Sequence, residues 1–180
     1  MTKLQKLITS KVTVFFSLAG TILCSFVLLK IDQRLSSEEG LGIIYLQLAF
    51  TSFNFRAILL SWGKEGVDLY LSYQWVHFVF PVMYSMLLAS TAAVMRQGGT
   101  VRSNLKLNHY FTIACVVPFF AAALDYIGNI LHMVIINNEL YPNVLIAAAS
   151  FSASLKYIML ISVILFLLSS SLLKITAKKS

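Results

Sequence analysis

Tyr110–Ile136 reads YFTIACVVPFFAAALDYIGNILHMVII. The run exceeds the roughly 20 apolar residues that cross a bilayer core. It nevertheless contains a carboxylate, Asp125, an amide, Asn129, and an imidazole, His132. Asn129 follows Asp125 by four residues and His132 comes three later, so a helix places all three on one face. Ionisable groups at membrane depth face protein or water rather than lipid. The stretch thus predicts a transmembrane helix with a polar face turned inward.

The rest of the chain has the same character. Of its 180 residues, 58% are hydrophobic and 12% charged, and mean hydropathy is +0.81. A soluble domain of this size carries about 25% charged residues. Four long apolar blocks, 12–31, 75–95, 110–136 and 144–173, predict an all-α membrane protein, a four-helix bundle in one integral domain spanning residues 1–180. The Lys-rich start followed by 12–31 resembles a signal peptide, but the run is long and no small-x-small site closes it, so a retained span is expected.

Leu41–Trp62, LGIIYLQLAFTSFNFRAILLSW, is long enough to span but carries Gln47, Thr51, Asn54 and Arg56. Gln47, Thr51 and Asn54 form a polar stripe, and an Arg in lipid is costly. The expectation is an amphipathic helix lying at the interface or re-entering the membrane, ended by Gly63 and Gly66. Pro81 and Pro118 fall inside spans and predict kinks.

Charge placement favours four spans over five. With the N-terminus inside, the inner side carries Lys3, Lys6, Lys11, Arg96, Arg102, Lys106, Lys174, Lys178 and Lys179, and no acid. The outer side carries Lys30, Arg34, Arg56 and Lys64 beside six acids. That is the positive-inside pattern, with both termini cytoplasmic. The net charge of +7 therefore reads as topology and lipid contact, and no basic-aromatic pattern suggests nucleic acid.

The charged residues deep in the spans are Asp125 and Lys156. Asp125 lies 15 residues above Tyr110, about 22 Å at ~1.5 Å per residue. Lys156 lies 17 residues above Leu173, about 26 Å on the same scale. Helices joined by the short turn NNELYPN are neighbours, so an Asp125–Lys156 pair is expected. His77 comes to similar height in the second span, and Tyr126 and Tyr157 flank the pair. Together Asp125, Asn129, Lys156, His77, His132, Tyr126 and Tyr157 predict a polar cluster facing the outer side, with Leu41–Trp62 as its lid. The small residues of FFAAALDY and LIAAASFSASLKY allow close helix approach.

No cofactor is indicated. There is no HExxH motif and no Cys/His cluster for zinc. Cys24 and Cys115 lack a Cys-x-x-Cys spacing and read as packing residues. His77 and His132 as haem ligands are a weaker reading than two amphipathic side chains near an interface. Trp62, Tyr73, Trp75 and Tyr110 read as an aromatic belt.

The ordered runs LQLAFTSFNFRAILLSWGKEG, FVFPVMY, LDYIGN and LKY resemble a set of small bacterial four-span membrane proteins to which no activity is attached. The resemblance covers most of the chain after the first span and implies a bacterial cytoplasmic membrane. In that pattern an acidic residue stands near the position of Val76 and His77, and a Glu precedes the Asn of the third span. This chain has Gly128 at the latter place.

Three functional classes stand at this point. One is a membrane protein that binds or senses a small or lipidic ligand in the polar cluster. Another is a scaffold or assembly subunit, with homo-oligomers compatible, in which Asp125–Lys156 only fixes helix register. The third is an intramembrane lipid-modifying enzyme. It lacks a recognisable nucleophile–base pair, because proximity of Ser150, Ser152 and Ser154 to Lys156 in sequence does not make one.

Overall fold

The computed structural model describes residues 9–36, 41–97, 104–139 and 141–177, with side chains to residue 172. Among the described residues six helices follow in order: α1 Lys11–Leu35, α2 Ile43–Gln47, α3 Ser52–Ser72, α4 Gln74–Arg96, α5 Leu105–Asn137 and α6 Asn143–Ala177. There is no strand among the described residues. α1, α4, α5 and the Asn143–Leu172 part of α6 are long and apolar enough to cross a membrane.

The four long helices pack in a row, α1 on α4, α4 on α5 and α5 on α6, while α1 and α6 make almost no direct contact. At Gly20 a side chain would run into Met83 Sδ at 2.5 Å, so α1 approaches α4 closely there. At Gly128 of α5, an added Cβ would sit 3.7 Å from the Ala149 carbonyl of α6. The small residues at 121–122 and 149–153 are buried in the same region.

Two apolar cores hold the ends. One gathers Ile31, Leu35, Leu46, Phe55, Trp62, Tyr70, Ile135 and Ile146 beneath α2 and α3. The other joins Ala92, Phe111, Ala114, Val163 and Leu167 at the opposite end. There Arg96 Nε donates to Asn108 Oδ1 at 2.8 Å and ties α4 to α5. Large apolar side chains face outward along the long helices, among them Phe15, Phe16, Leu23, Phe120, Phe151 and Leu168. A soluble monomer rarely exposes so continuous an apolar surface.

Leu41–Trp62 is not one helix. α2 ends at Gln47, and α3 begins only at Ser52. Phe50 lies between them in the left-handed region, at φ 53°. Its N–H donates to Ser150 Oγ at 3.0 Å, and the Ser52 N–H donates to Asn143 Oδ1 at 2.7 Å. The link is thus pinned to the first turns of α6. Thr51 caps α3 by accepting from the Asn54 N–H. The predicted polar stripe is divided accordingly: Gln47 turns inward, whereas Thr51 and Asn54 serve the cap. Arg56 is exposed and lies 4.9 Å from the Tyr141 ring centroid.

The glycine break falls at Gly63 but does not end the helix. α3 bends at Gly63, where φ 62° and ψ −176° suit only glycine, and then continues through Gly66 to Ser72. Trp62 does not belong to an exposed belt. It is buried, and its indole N–H donates to the Leu41 carbonyl at 2.7 Å. Trp75 and Tyr110 are exposed. The predicted charges at Lys3, Lys6, Glu38, Glu39, Arg102, Lys178 and Lys179 lie outside the described residues.

Candidate functional site

The site begins at Pro81. A proline inside a helix has no N–H for the carbonyl four residues back. In α4 that carbonyl belongs to His77. Asn129 of α5 fills the gap, donating from Nδ2 to the His77 carbonyl at 2.9 Å. One residue on, the Tyr126 hydroxyl donates to the Phe78 carbonyl at 2.7 Å, and the two rings stack. The proline therefore frees the His77 carbonyl of α4, and α5 supplies donors to it and to the neighbouring Phe78 carbonyl.

Asp125 lies one turn before Asn129. Its Oδ1 is 2.7 Å from Lys156 Nζ of α6, with both side chains buried. The same oxygen accepts from Asn129 Nδ2 at 3.5 Å, and Oδ2 accepts from the Tyr84 hydroxyl at 3.2 Å. Lys156 also donates to Gln47 Oε1 at 3.3 Å and sits 4.6 Å from the Tyr157 ring centroid. The Tyr157 hydroxyl donates to that same Gln47 oxygen at 2.5 Å. One network thus joins α2, α4, α5 and α6. A buried ion pair is favourable only when its remaining hydrogen-bonding capacity is met, and here carboxylate and ammonium each have further partners.

The structure brings Asp125, Asn129, Lys156 and Tyr157 into one hydrogen-bonded group. Tyr126 stands beside it on the α4 seam. His77 contributes its carbonyl to the group, and its ring packs 5.4 Å from the Tyr70 ring. His132 is buried deeper under α3, against Phe55 at 5.7 Å. Two members escaped the sequence reading as partners of the pair. Tyr84 lies seven residues after His77 and three after Pro81, hence on their face, and that spacing was its signal. Gln47 reaches Lys156 only because the chain turns back at 48–51, a tertiary contact without a local signature.

Beside this network lies a cavity of about 400 Å³. Leu28, Leu29, Ile43, Ile44, Phe80 and Leu160 make its apolar wall, and Gln47, His77, Tyr84, Asp125, Lys156 and Tyr157 its polar sector. The roof is fixed by Asp32 at the end of α1, whose Oδ1 accepts from the Ile43 N–H at 2.6 Å. Gly42 is required next to it, because a Cβ there would fall 2.3 Å from that oxygen.

Ser150 Oγ is engaged by the Phe50 N–H, and Ser154 Oγ donates to the Ser150 carbonyl. No serine–Lys156 hydrogen bond occurs among the described residues. Cys24 and Cys115 are free thiols. No cluster of three or more His, Cys, Asp and Glu suited to a metal is found among the described residues. No family model, curated protein or solved structure matches the chain.

Proposed function

We propose that the chain is a multi-pass protein of a bacterial cytoplasmic membrane that binds a small amphipathic or lipidic ligand in the cavity between α1, α2, α4, α5 and α6. The carrying observation is the cavity itself, about 400 Å³ with an apolar wall and a polar sector containing Asp125 and Lys156. Ligand sites have this composition, mostly apolar with a few placed polar groups. α1 and α6 both line the cavity yet make almost no direct contact, so this reading places its entrance between them. In a bilayer that entrance faces the lipid tails. α2 and α3 lie at the outer interface in this reading. Their exposed Tyr45, Phe53 and Leu60 suit the boundary between headgroups and tails.

Mass spectrometry of the protein extracted without added lipid tests the assignment. An amphipathic molecule is expected to co-purify with wild type and to be lost from Leu29→Trp and Leu160→Trp, which fill the wall. Retention by both folded variants rejects the cavity as the site.

A second reading, a lock between helices without a ligand, is favoured by the closed network. Besides each other, Asp125 has Tyr84 and Asn129 as partners and Lys156 has Gln47, so the pair is tied to three further side chains. Replacing a buried ion pair by apolar residues is often tolerated. Asp125→Leu with Lys156→Leu therefore separates the readings. A stable double variant with full cellular function leaves only the lock.

A further inference from the structure

Behind the ion pair, under the bend of α3, lies a second polar group that the cavity network does not use. Tyr70 from α3, Gln74 and His77 from α4 and His132 from α5 are at most 6% exposed. Among the described residues, Tyr70 Oη, Gln74 Nε2 and Oε1, His77 Nε2 and both ring nitrogens of His132 have no hydrogen-bond partner. The Tyr70 and His77 rings are 5.4 Å apart. Burial and the Asp125 carboxylate push the Tyr70 hydroxyl above its ordinary range, and Gln74, which faces it, draws its pKa down as a hydrogen-bond partner would.

Buried polar atoms without partners are rare in native proteins. Six such atoms fall on these four residues, which the Tyr70–His77 ring contact and the bond from Asn129, three residues before His132, to the His77 carbonyl draw together. With a desolvation cost each, they would together rival the whole stability of an ordinary domain. Water satisfies such groups when a site offers it two to four partners per molecule. Imidazole, phenol and amide supply both donors and acceptors. A divalent cation fits poorly, because the four residues include no carboxylate and the nearby Asp125 is already paired with the Lys156 ammonium. An apolar guest would leave every one of these atoms unmet.

We propose that Tyr70, Gln74, His77 and His132 form a buried site for ordered water, through which His132 exchanges its ring proton with the cavity by way of His77. His77 is suited to this role because it belongs both to the cluster and to the cavity wall. The titratable groups that surround the site are Tyr70 on α3, His77 and Tyr84 on α4, Asp125 and His132 on α5, and Lys156 and Tyr157 on α6, with Asp32 of α1 at the cavity roof. The proton moves between imidazole nitrogens and water without change of oxidation state or need of a co-reactant. The assignment does not depend on what occupies the cavity.

Nitrogen-resolved NMR of histidine-labelled full-length protein in lipid nanodiscs tests it. The His132 ring N–H is expected to show cross-peaks to water. His77→Phe is expected to slow exchange of that proton by about tenfold or more, the effect of losing one hydrogen-bonded link of typical strength. His77→Gln, which keeps a polar link, is expected to stay near wild type and serves if the Phe variant does not fold. Absence of a water cross-peak at His132 in folded protein overturns the site. Unchanged exchange in folded His77→Phe, or slow exchange in folded His77→Gln, overturns the route through His77. None of these readouts requires a ligand, so the cavity assignment stands or falls separately.

Discussion

Asn129 and Pro81 show how a single residue's role depends on another helix. The amide makes up a hydrogen bond that the proline removes from α4. Asn129→Leu leaves the His77 carbonyl unmet and should cost about 1–3 kcal/mol, the penalty for a buried orphan acceptor. In a Pro81→Ala background the helix can recover its own bond, and the same change should cost less than about 1 kcal/mol. A double-mutant cycle by thermal unfolding in detergent measures the difference, and equal costs in the two backgrounds would reject the account. Asp125→Ala alone should be harsher, about 3–5 kcal/mol, since it strands the Lys156 ammonium in a buried place. Much of this was legible at the level of single residues. Counting rise along α5 and α6 brought Asp125 and Lys156 to similar height, and the two are in contact. The proline–amide link was equally open to arithmetic, because His77 is four residues before Pro81. Gln47 was not, since nothing local states that α2 folds back to α6.

The elements between the first and second long helices were the least readable part. Composition marked Leu41–Trp62 as amphipathic, but the break at 48–51 arises from anchors far along the chain, Ser150 and Asn143. Periodicity within a segment cannot report such anchors. Glycine gave a true signal at the wrong strength: Gly63 bends α3, and the helix resumes because apolar residues beyond it join the capping core. A side chain at Gly63 meets nothing within 4 Å, so Gly63→Ala tests conformation alone. It should destabilise by about 1–3 kcal/mol, as for other residues forced into a glycine-only region. An unchanged melting temperature would mean that the bend is not fixed by φ. The roof contact is a separate test at this scale. Asp32→Ala removes the cap on α2 and should cost about 0.5–2 kcal/mol. It should also loosen retention of any amphipathic molecule, because Ile43 and Ile44 line the cavity.

At the scale of the whole molecule, the long helices were legible because each satisfies its own backbone and needs only length and hydropathy to be seen. Their order in the row was legible only where short turns join them. The near lack of contact between α1 and α6 was not, since a missing contact leaves no mark in a sequence. Orientation in the bilayer is the remaining global property, and the described charges bear on it. Lys11, Arg96 and Lys106 stand at one end of the row with no acid. Lys30, Arg34, Arg56 and Lys64 share the capped end with Asp32, Glu65, Asp68 and Glu139. Topology follows the excess of Lys and Arg in short segments next to the spans, not net charge. The count alone therefore leaves the described ends close. The orientation proposed above puts the end where Arg96 is held by Asn108 in the cytoplasm and the capped end, with the α2–α3 roof, outside. Single cysteines at positions 138 and 97, in a background with Cys24 and Cys115 replaced by Ala, report the two ends directly. A membrane-impermeant maleimide should label position 138 on intact cells and position 97 only after permeabilisation. The reverse pattern would turn the molecule over and place the roof, and the polar sector beneath it, on the cytoplasmic side.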